Sequence, residues 1–190
     1  PAYPYPWNPA YPFDELKTIF DRYNIICGIG RDHHFNPDIQ MGLELGWGGI
    51  LSKLEHFRAL NPPETREFYN SEIAVVKAII SFLRRISHQL AELALIERNP
   101  VLSRNLAEMA EINLRMADGV PQTMREAIQW MCHFSMLSRL YNRGSAGGQL
   151  DQLLLPYYEN DIRAGRITDE EAKFYLSCLF FNDSRYYQLG

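Results

Sequence analysis

The segment from Ile128 to Leu140, "IQWMCHFSMLSRL", is the feature that most constrains the fold, because as a helix it is apolar on almost every side. Such a helix cannot face water along its length, so other elements have to cover it all round. Thr123 and Glu126 precede it with the spacing of a capping box, which predicts where it begins. We therefore expect a central, buried helix surrounded by other helices.

Start and stop signals divide the chain into about six helices. Asn36 and Pro37 are a good N-cap and first helical residue for a helix ending near Leu60. Asn99-Pro100 repeats this signal, and Thr168 with Glu171 forms a second capping box. The other predicted helices cover residues 64–98 and 150–164. Two helices carry an apolar stripe with spacings of three and four: Val76, Ile79, Leu83, Ile86 and Leu90 in one, and Leu102, Leu106, Met109, Ile112 and Met116 in the other.

The first predicted helix contains four glycines, at positions 42, 46, 48 and 49. Each costs about 1 kcal/mol relative to alanine. Their number predicts either close packing against another element or a local break. Upstream, Ile25-Ile26-Cys27 indicates one short strand near residues 24–28, in a fold that is otherwise mainly α.

Composition excludes several functional classes. The net charge of −4 provides no basic surface for nucleic acid, and no apolar run reaches the roughly 18–20 residues that cross a bilayer. Three widely spaced cysteines favour a reducing, cytoplasmic setting. Residues 1–24 form an extended lead-in rich in proline and aromatic residues, and residues 25–190 show no interdomain linker.

Few residues suggest chemistry by themselves. Gly28-Ile-Gly30 lacks the third glycine and the βαβ context of a dinucleotide site. His33 and His34 are adjacent, which disfavours a shared metal ion; loop hydrogen bonding and substrate contact both remain open. Cys132 and Cys178 lie in apolar stretches and are expected to be small core residues. No metal site and no nucleophile are predicted.

The segment "YNRGSAGGQLDQ" interrupts the helical pattern with glycines. Local physics favours a helix C-cap at Gly144, followed by Asp151 as a cap or ion-pair residue of the next helix. The alternative is that the backbone passes close to a ligand, with Arg143 offering a planar donor fork and Ser145 a hydroxyl. In that case Gly144, Gly147 and Gly148 leave the room for a close approach.

The residues around this segment resemble the glycyl radical enzymes, the superfamily of pyruvate formate-lyase and glycerol dehydratase. The resemblance covers about residues 25–181 and includes "RDHHFNPDIQMGLELGWGGI". Downstream, the sequence matches four parts of the family pattern in order. These are a helix start of the form P-x-T-x-x-E-A-hydrophobic-Q, a glycine-rich loop, a Pro-Tyr-Tyr helix and a G-x-[IL]-T-x-E-E-A turn. The matching positions there are Thr123, Glu126, Ala127, Gln129, Gly148, Leu150, Asp151, Gln152, Pro156, Tyr157, Tyr158, Gly165, Ile167, Thr168, Glu170, Glu171 and Ala172.

This resemblance implies a part of a ten-stranded α/β barrel wrapped by helices, in a longer chain. In the family a glycyl radical, installed by an S-adenosylmethionine iron–sulfur ([4Fe-4S]) activase, generates a cysteine thiyl radical that abstracts a substrate hydrogen. The motifs of the radical glycine and the thiyl cysteine do not occur here, so no catalytic residue and no bound cofactor are expected in this segment. It would be a fragment or one piece of a split assembly, supplying scaffold and substrate-pocket loops. The expected partners are a small substrate, the activase and a second copy in a homodimer.

The resemblance also assigns substrate contacts. His34 matches the histidine that holds a substrate hydroxyl in the diol dehydratase branch. The family's His-Ser pair falls on Arg143 and Gly144, Ser145 comes one residue late, and Gln149 replaces an arginine. An arginine at this place favours an anionic substrate, such as a carboxylate or sulfonate, over glycerol.

The competing hypothesis for the whole chain is a helical binding or assembly module without chemistry.

Overall fold

The computed structural model describes residues 17, 18, 22, 37–139 and 148–187 of the 190. Within the two long ranges the chain is helical, and no strand occurs in the described residues. The strand predicted near residues 24–28 lies outside them, as does most of the 1–24 lead-in. The elements are α1 (Ile39–Leu60), a 3₁₀ turn (Pro63–Thr65), α2 (Arg66–Ile96), α3 (Pro100–Asp118), α4 (Met124–Arg139), α5 (Leu150–Arg163) and α6 (Asp169–Tyr187).

The helix starts follow the capping signals with one exception. Asn99 Oδ1 accepts hydrogen bonds from the backbone N–H groups of Val101 (2.9 Å) and Leu102 (3.3 Å). Both predicted capping boxes form, since each threonine hydroxyl accepts from the glutamate N–H and each glutamate carboxylate accepts from the threonine N–H. The exception is α1, which begins at Ile39 and not at Pro37.

The predicted N-cap of α1, Asn36, is therefore wrong. Asp38 takes this role, and its Oδ1 accepts from Met41 N–H at 2.9 Å. Asp and Asn cap about equally well, so the two residues compete for the start of one helix. Pro37 lies between them and precedes the helix.

Helix α4 lies at the centre, as its sequence predicts. It contacts α1, α3, α5 and α6, and Ala127, Trp130 and Met131 are at most 2% exposed. The mainly helical architecture is confirmed, and α4 contacts four of the other five described helices.

Helices α2 and α3 pair with each other, and nine of the ten residues of their predicted stripes are buried or partly buried. Leu83 and Met116 are fully buried. Leu102 is half exposed, so its assignment to the inner face was wrong. It lies in the first turn of α3, next to the end of α2, where the core does not reach.

The glycines of α1 provide both close packing and a break. A Cβ on Gly42 would lie 1.9 Å from the Trp130 ring, so α1 and α4 meet in direct contact. Gly46 has φ 60° and ψ −179°, which interrupts the helix. A Cβ there would lie 2.1 Å from the carbonyl oxygen of Gly119. Glycine is required at both positions because neither has room for a side chain.

Candidate functional site

A cleft of about 770 Å³ opens between the first turns of α1 and the first half of α5. Its polar lining comes from side chains of both helices. The residues are Asp38, Gln40 and Glu44 from α1 and its cap, and Gln149, Gln152 and Tyr157 from α5 and its cap. Among these described residues the charged groups are carboxylates. This wall therefore suits hydroxyl or other donor groups better than an anion.

Tyr157 spans the cleft from α5 towards α1. Its hydroxyl lies 3.5 Å from the backbone oxygen of Leu43, at the outer limit of a hydrogen bond. Burial, together with the negative charge of Glu44, raises the pKa of Tyr157 above its usual value. The phenol stays protonated at neutral pH, so it can donate a hydrogen bond to a ligand oxygen in the cleft.

Gly148 marks the entrance of α5 and lines the cleft. Its φ of +66° lies in the left-handed region that favours glycine. A side chain at this position would therefore be strained, whereas the close approach to a ligand predicted for this segment stays a prediction. Asp151, the second residue of α5, is exposed in the first turn, where its charge meets the positive end of the helix dipole. Gln149, and not Asp151, occupies the N-cap position.

A second, more apolar cleft of about 680 Å³ lies between α5 and α6 and shares Gly148 with the first. Leu155 and Phe180 line it. Tyr158 donates to Asp169 at 2.8 Å across its edge, and this hydrogen bond and the carboxylate charge raise the pKa of Tyr158. The Tyr158 bond joins α5 to the start of α6.

Two buried carboxylates fix the start of α4. Glu126 accepts from the Gln122 N–H (2.8 Å) and pairs with Arg115 of α3 (2.7 Å). Asp161 of α5 is 1% exposed and accepts from the Met124 N–H at 2.8 Å. These bonds satisfy helix N-terminal donors that would otherwise lack partners.

His133 is a buried histidine on α4. Its Nε2 lies 3.0 Å from the Gln129 side-chain nitrogen, and its Nδ1 has no hydrogen-bond partner among the described residues. Burial lowers the pKa of His133 from 6.5 to about 4, so the ring is neutral at pH 7. No local sequence pattern marks this residue.

Most of the predicted site residues lie outside the described part of the chain. His34, Arg143, Gly144, Ser145 and Gly147 belong to this group, and their roles remain predictions. Cys132 and Cys178 are half-buried, hence at the margin of the core rather than inside it. His88 pairs with Glu92 at 3.4 Å on an exposed face, as expected for a solvated pair.

Sequence reasoning gave no site role to two residues that the structure places at the cleft and at the start of α4, Tyr157 and Asp161. Tyr157 was noted only as a matching position of the family pattern. The partners of Tyr157 and Asp161 lie 114 and 37 positions away in the sequence, so no local motif predicts these contacts. Among the described residues, no group of three or more His, Cys, Asp or Glu side chains is arranged to hold a metal ion. Within the same residues, every helix falls short of the length or apolarity that crossing a membrane requires.

Comparison with known proteins adds a family match. The family model "Pyruvate formate lyase-like" matches residues 19–189. The isethionate sulfite-lyase of Nitratidesulfovibrio vulgaris is 32% identical over 189 residues, covering 93% of this chain and 23% of that protein. The 4-hydroxyphenylacetate decarboxylase glycyl radical subunit of Clostridium scatologenes is 30% identical over 178 residues, covering 84% of this chain and 19% of that protein.

Solved structures show the same arrangement of helices. The glycerol-bound form of the B12-independent glycerol dehydratase from Clostridium butyricum superposes with a TM-score of 0.74 and 25% identity. The match covers 83% of this chain and 20% of that one. The matches thus span only 19–23% of the length of these relatives.

Proposed function

Because the chain belongs to the pyruvate formate lyase-like family of glycyl radical enzymes, we propose that it is the part of a radical lyase or dehydratase that supplies scaffold and substrate-pocket loops. The reaction would cleave a C–O, C–N, C–S or C–C bond of a small polar or anionic substrate. The glycyl radical and the thiyl cysteine, which supply the hydrogen abstraction, match no motif in these residues. The proposal includes a radical S-adenosylmethionine activase as partner, a homodimer and a cytoplasmic location.

The observation that carries this proposal is the cleft between α1 and α5. The two segments predicted to contact substrate adjoin it in sequence: His34 precedes Pro37 by three residues, and Ser145 precedes Gly148 by three. Pro37 and Gly148 both line the cleft. Consecutive Cα atoms are about 3.8 Å apart, so the Cα atoms of His34 and Ser145 are each within about 11 Å of its lining.

The charges favour a substrate with an anion at one end and a hydroxyl at the other. The described wall of the cleft carries Asp38 and Glu44, which repel an anion. A substrate anion would instead meet Arg143, whose guanidinium forms paired hydrogen bonds with a carboxylate or sulfonate. Isethionate and 4-hydroxyphenylacetate, named for two relatives, both combine an anionic group with a hydroxyl.

The test uses the complete enzyme after activation, with isethionate, 4-hydroxyphenylacetate and glycerol as substrates. We expect turnover of an anionic substrate, and we expect Arg143→Gln to lower its kcat/KM by at least about 100-fold, the scale of a lost charged pair. Arg143→Lys should recover part of the loss. Arg104→Gln, on an exposed position of α3, is the control and should change little.

Two results would contradict the proposal. Turnover of glycerol with no activity on either anion would refute the anionic substrate. Unchanged kcat/KM in Arg143→Gln would show that Arg143 is structural.

A further inference from the structure

Helices α4 and α5 form a hairpin that a buried side chain joins at its base. Asp161, near the C-terminal end of α5, bonds to Met124 at the N-terminal end of α4. The start of α5, where Gly148 and Gln149 line the cleft, lies about 20 Å from Asp161 at 1.5 Å rise per helical residue.

The Asp161 side chain at this base is 1% exposed and accepts hydrogen bonds on both carboxylate oxygens. Its Oδ2 accepts from the Met124 N–H at 2.8 Å, and its Oδ1 accepts from Arg166 Nε at 2.6 Å. The backbone oxygen of Asp161 also accepts from the Arg166 N–H at 2.8 Å, which fixes the turn behind α5. One carboxylate thus ties the start of α4, the end of α5 and the following turn together.

We propose that Asp161 is a positioning residue for the substrate pocket. It sets the angle between α4 and α5 at their base, and this angle determines where the start of α5, which lines the cleft, lies. A rotation of a few degrees at the base displaces the start of α5, about 20 Å away, by roughly 1 Å. Misplacement by this distance is enough to impair substrate binding. The inference rests on the proposed function, because it assumes that this cleft is the substrate pocket.

The chain offers a matched control in Glu126. It too is a buried carboxylate that accepts backbone N–H groups at the start of α4 and pairs with an arginine. Its bonds, however, reach α3 and not α5. Loss of Glu126 should therefore destabilise the protein without releasing the hairpin.

The experiment compares Asp161→Asn with Glu126→Gln in the complete, activated enzyme, using isethionate as the probe. Both variants should lower the melting temperature. Only Asp161→Asn should raise KM, by tenfold or more, with a smaller change in kcat per active site. If the KM values of the two variants agree within twofold, Asp161 has a purely structural role and the proposal is overturned.

A second measurement is independent of turnover. Hydrogen exchange of a peptide covering residues 148–156 should be faster in Asp161→Asn than in Glu126→Gln, and equal rates would overturn the proposal. If the wild-type enzyme turned over none of the three substrates, the proposed function would fail. Hydrogen exchange would still decide whether Asp161 holds the hairpin, because it does not require turnover. Should Asp161→Asn not fold, Arg166→Gln removes the half-exposed partner that holds the other oxygen of the Asp161 carboxylate. This variant is judged by its KM and by its hydrogen exchange at residues 148–156.

Discussion

At the scale of single residues, Gly46 is the position where the backbone itself excludes any other side chain. Its φ of 60° and ψ of −179° lie in a region populated almost solely by glycine. A Cβ would also meet the Gly119 carbonyl oxygen at 2.1 Å, and a backbone atom cannot move aside as a side chain can. We expect Gly46→Ala to lower the free energy of unfolding by about 3 kcal/mol or more, measured by thermal unfolding followed by tryptophan fluorescence.

Gly49 provides the control for this prediction. It lies in the same helix without a positive φ, and a Cβ there would lie 3.0 Å from the Leu45 side chain. Alanine at this position gains up to about 1 kcal/mol of helix propensity, which offsets mild crowding. Gly49→Ala should therefore change stability by less than about 1 kcal/mol. Equal effects of the two substitutions would contradict the assignment of a backbone clash at Gly46.

His133 makes the stability of the protein depend on pH. Its pKa is about 4 in the folded state and 6.5 when solvated, so between these values the unfolded chain binds a proton that the folded chain does not. The neutral, buried His133 therefore costs no stability above pH 6.5, and the free energy of unfolding falls as the pH drops towards 4. Between these pH values the free energy of unfolding falls by about 1.4 kcal/mol per pH unit, so that about 2 kcal/mol is lost at pH 5.

Denaturant unfolding at several pH values tests this contribution. His133→Gln should flatten the stability curve between pH 6.5 and 4 relative to the wild type. His88→Gln, at a side chain that is 75% exposed, should keep the wild-type slope. A wild-type slope in His133→Gln would show that other groups cause the acid sensitivity.

At the scale of elements, the helix caps are local devices whose effect can be isolated. Asn99 accepts two backbone N–H bonds at the start of α3. We expect Asn99→Ala to cost about 1 kcal/mol of stability, and Asn99→Ser to cost little because serine also caps. Thermal unfolding of both variants measures the difference. Equal losses would mean that Asn99 acts through something other than its side-chain oxygen.

The caps also explain which elements the sequence could predict. A capping box or an Asn-Pro pair contains both partners of its hydrogen bonds within a few residues, so the starts of α3, α4 and α6 follow from the sequence alone. Asn36 and Asp38 are equally suitable caps, and only tertiary packing decides between them. The same limit applies to Leu102, whose exposure depends on where the α2–α3 pair ends.

At the scale of the whole molecule, the candidate site depends on contacts that local patterns do not contain. The cleft exists because α1 and α5 meet although more than 100 residues separate Leu43 from Tyr157. The glycines of the segment before α5 are visible in the sequence, but the positive φ of Gly148 is known only from the structure. The sequence could not predict Asp161, since a lone aspartate near a helix end is usually exposed and only packing brings Met124 to it.

The outer surface of α6 gives a last prediction at this scale. Phe174 and Phe181 are 63% and 64% exposed although both are large apolar residues, and the matched part is about a fifth of the solved relative. As a separate polypeptide, the 190-residue chain should therefore self-associate through such surfaces. Phe174→Ser with Phe181→Ser should reduce association, measured by sedimentation velocity, and change stability by no more than about 0.5 kcal/mol per residue. Leu179→Ala, on the buried side of the same helix, should instead cost about 2–5 kcal/mol without reducing association. Undiminished association of the double serine variant would show that another surface is responsible.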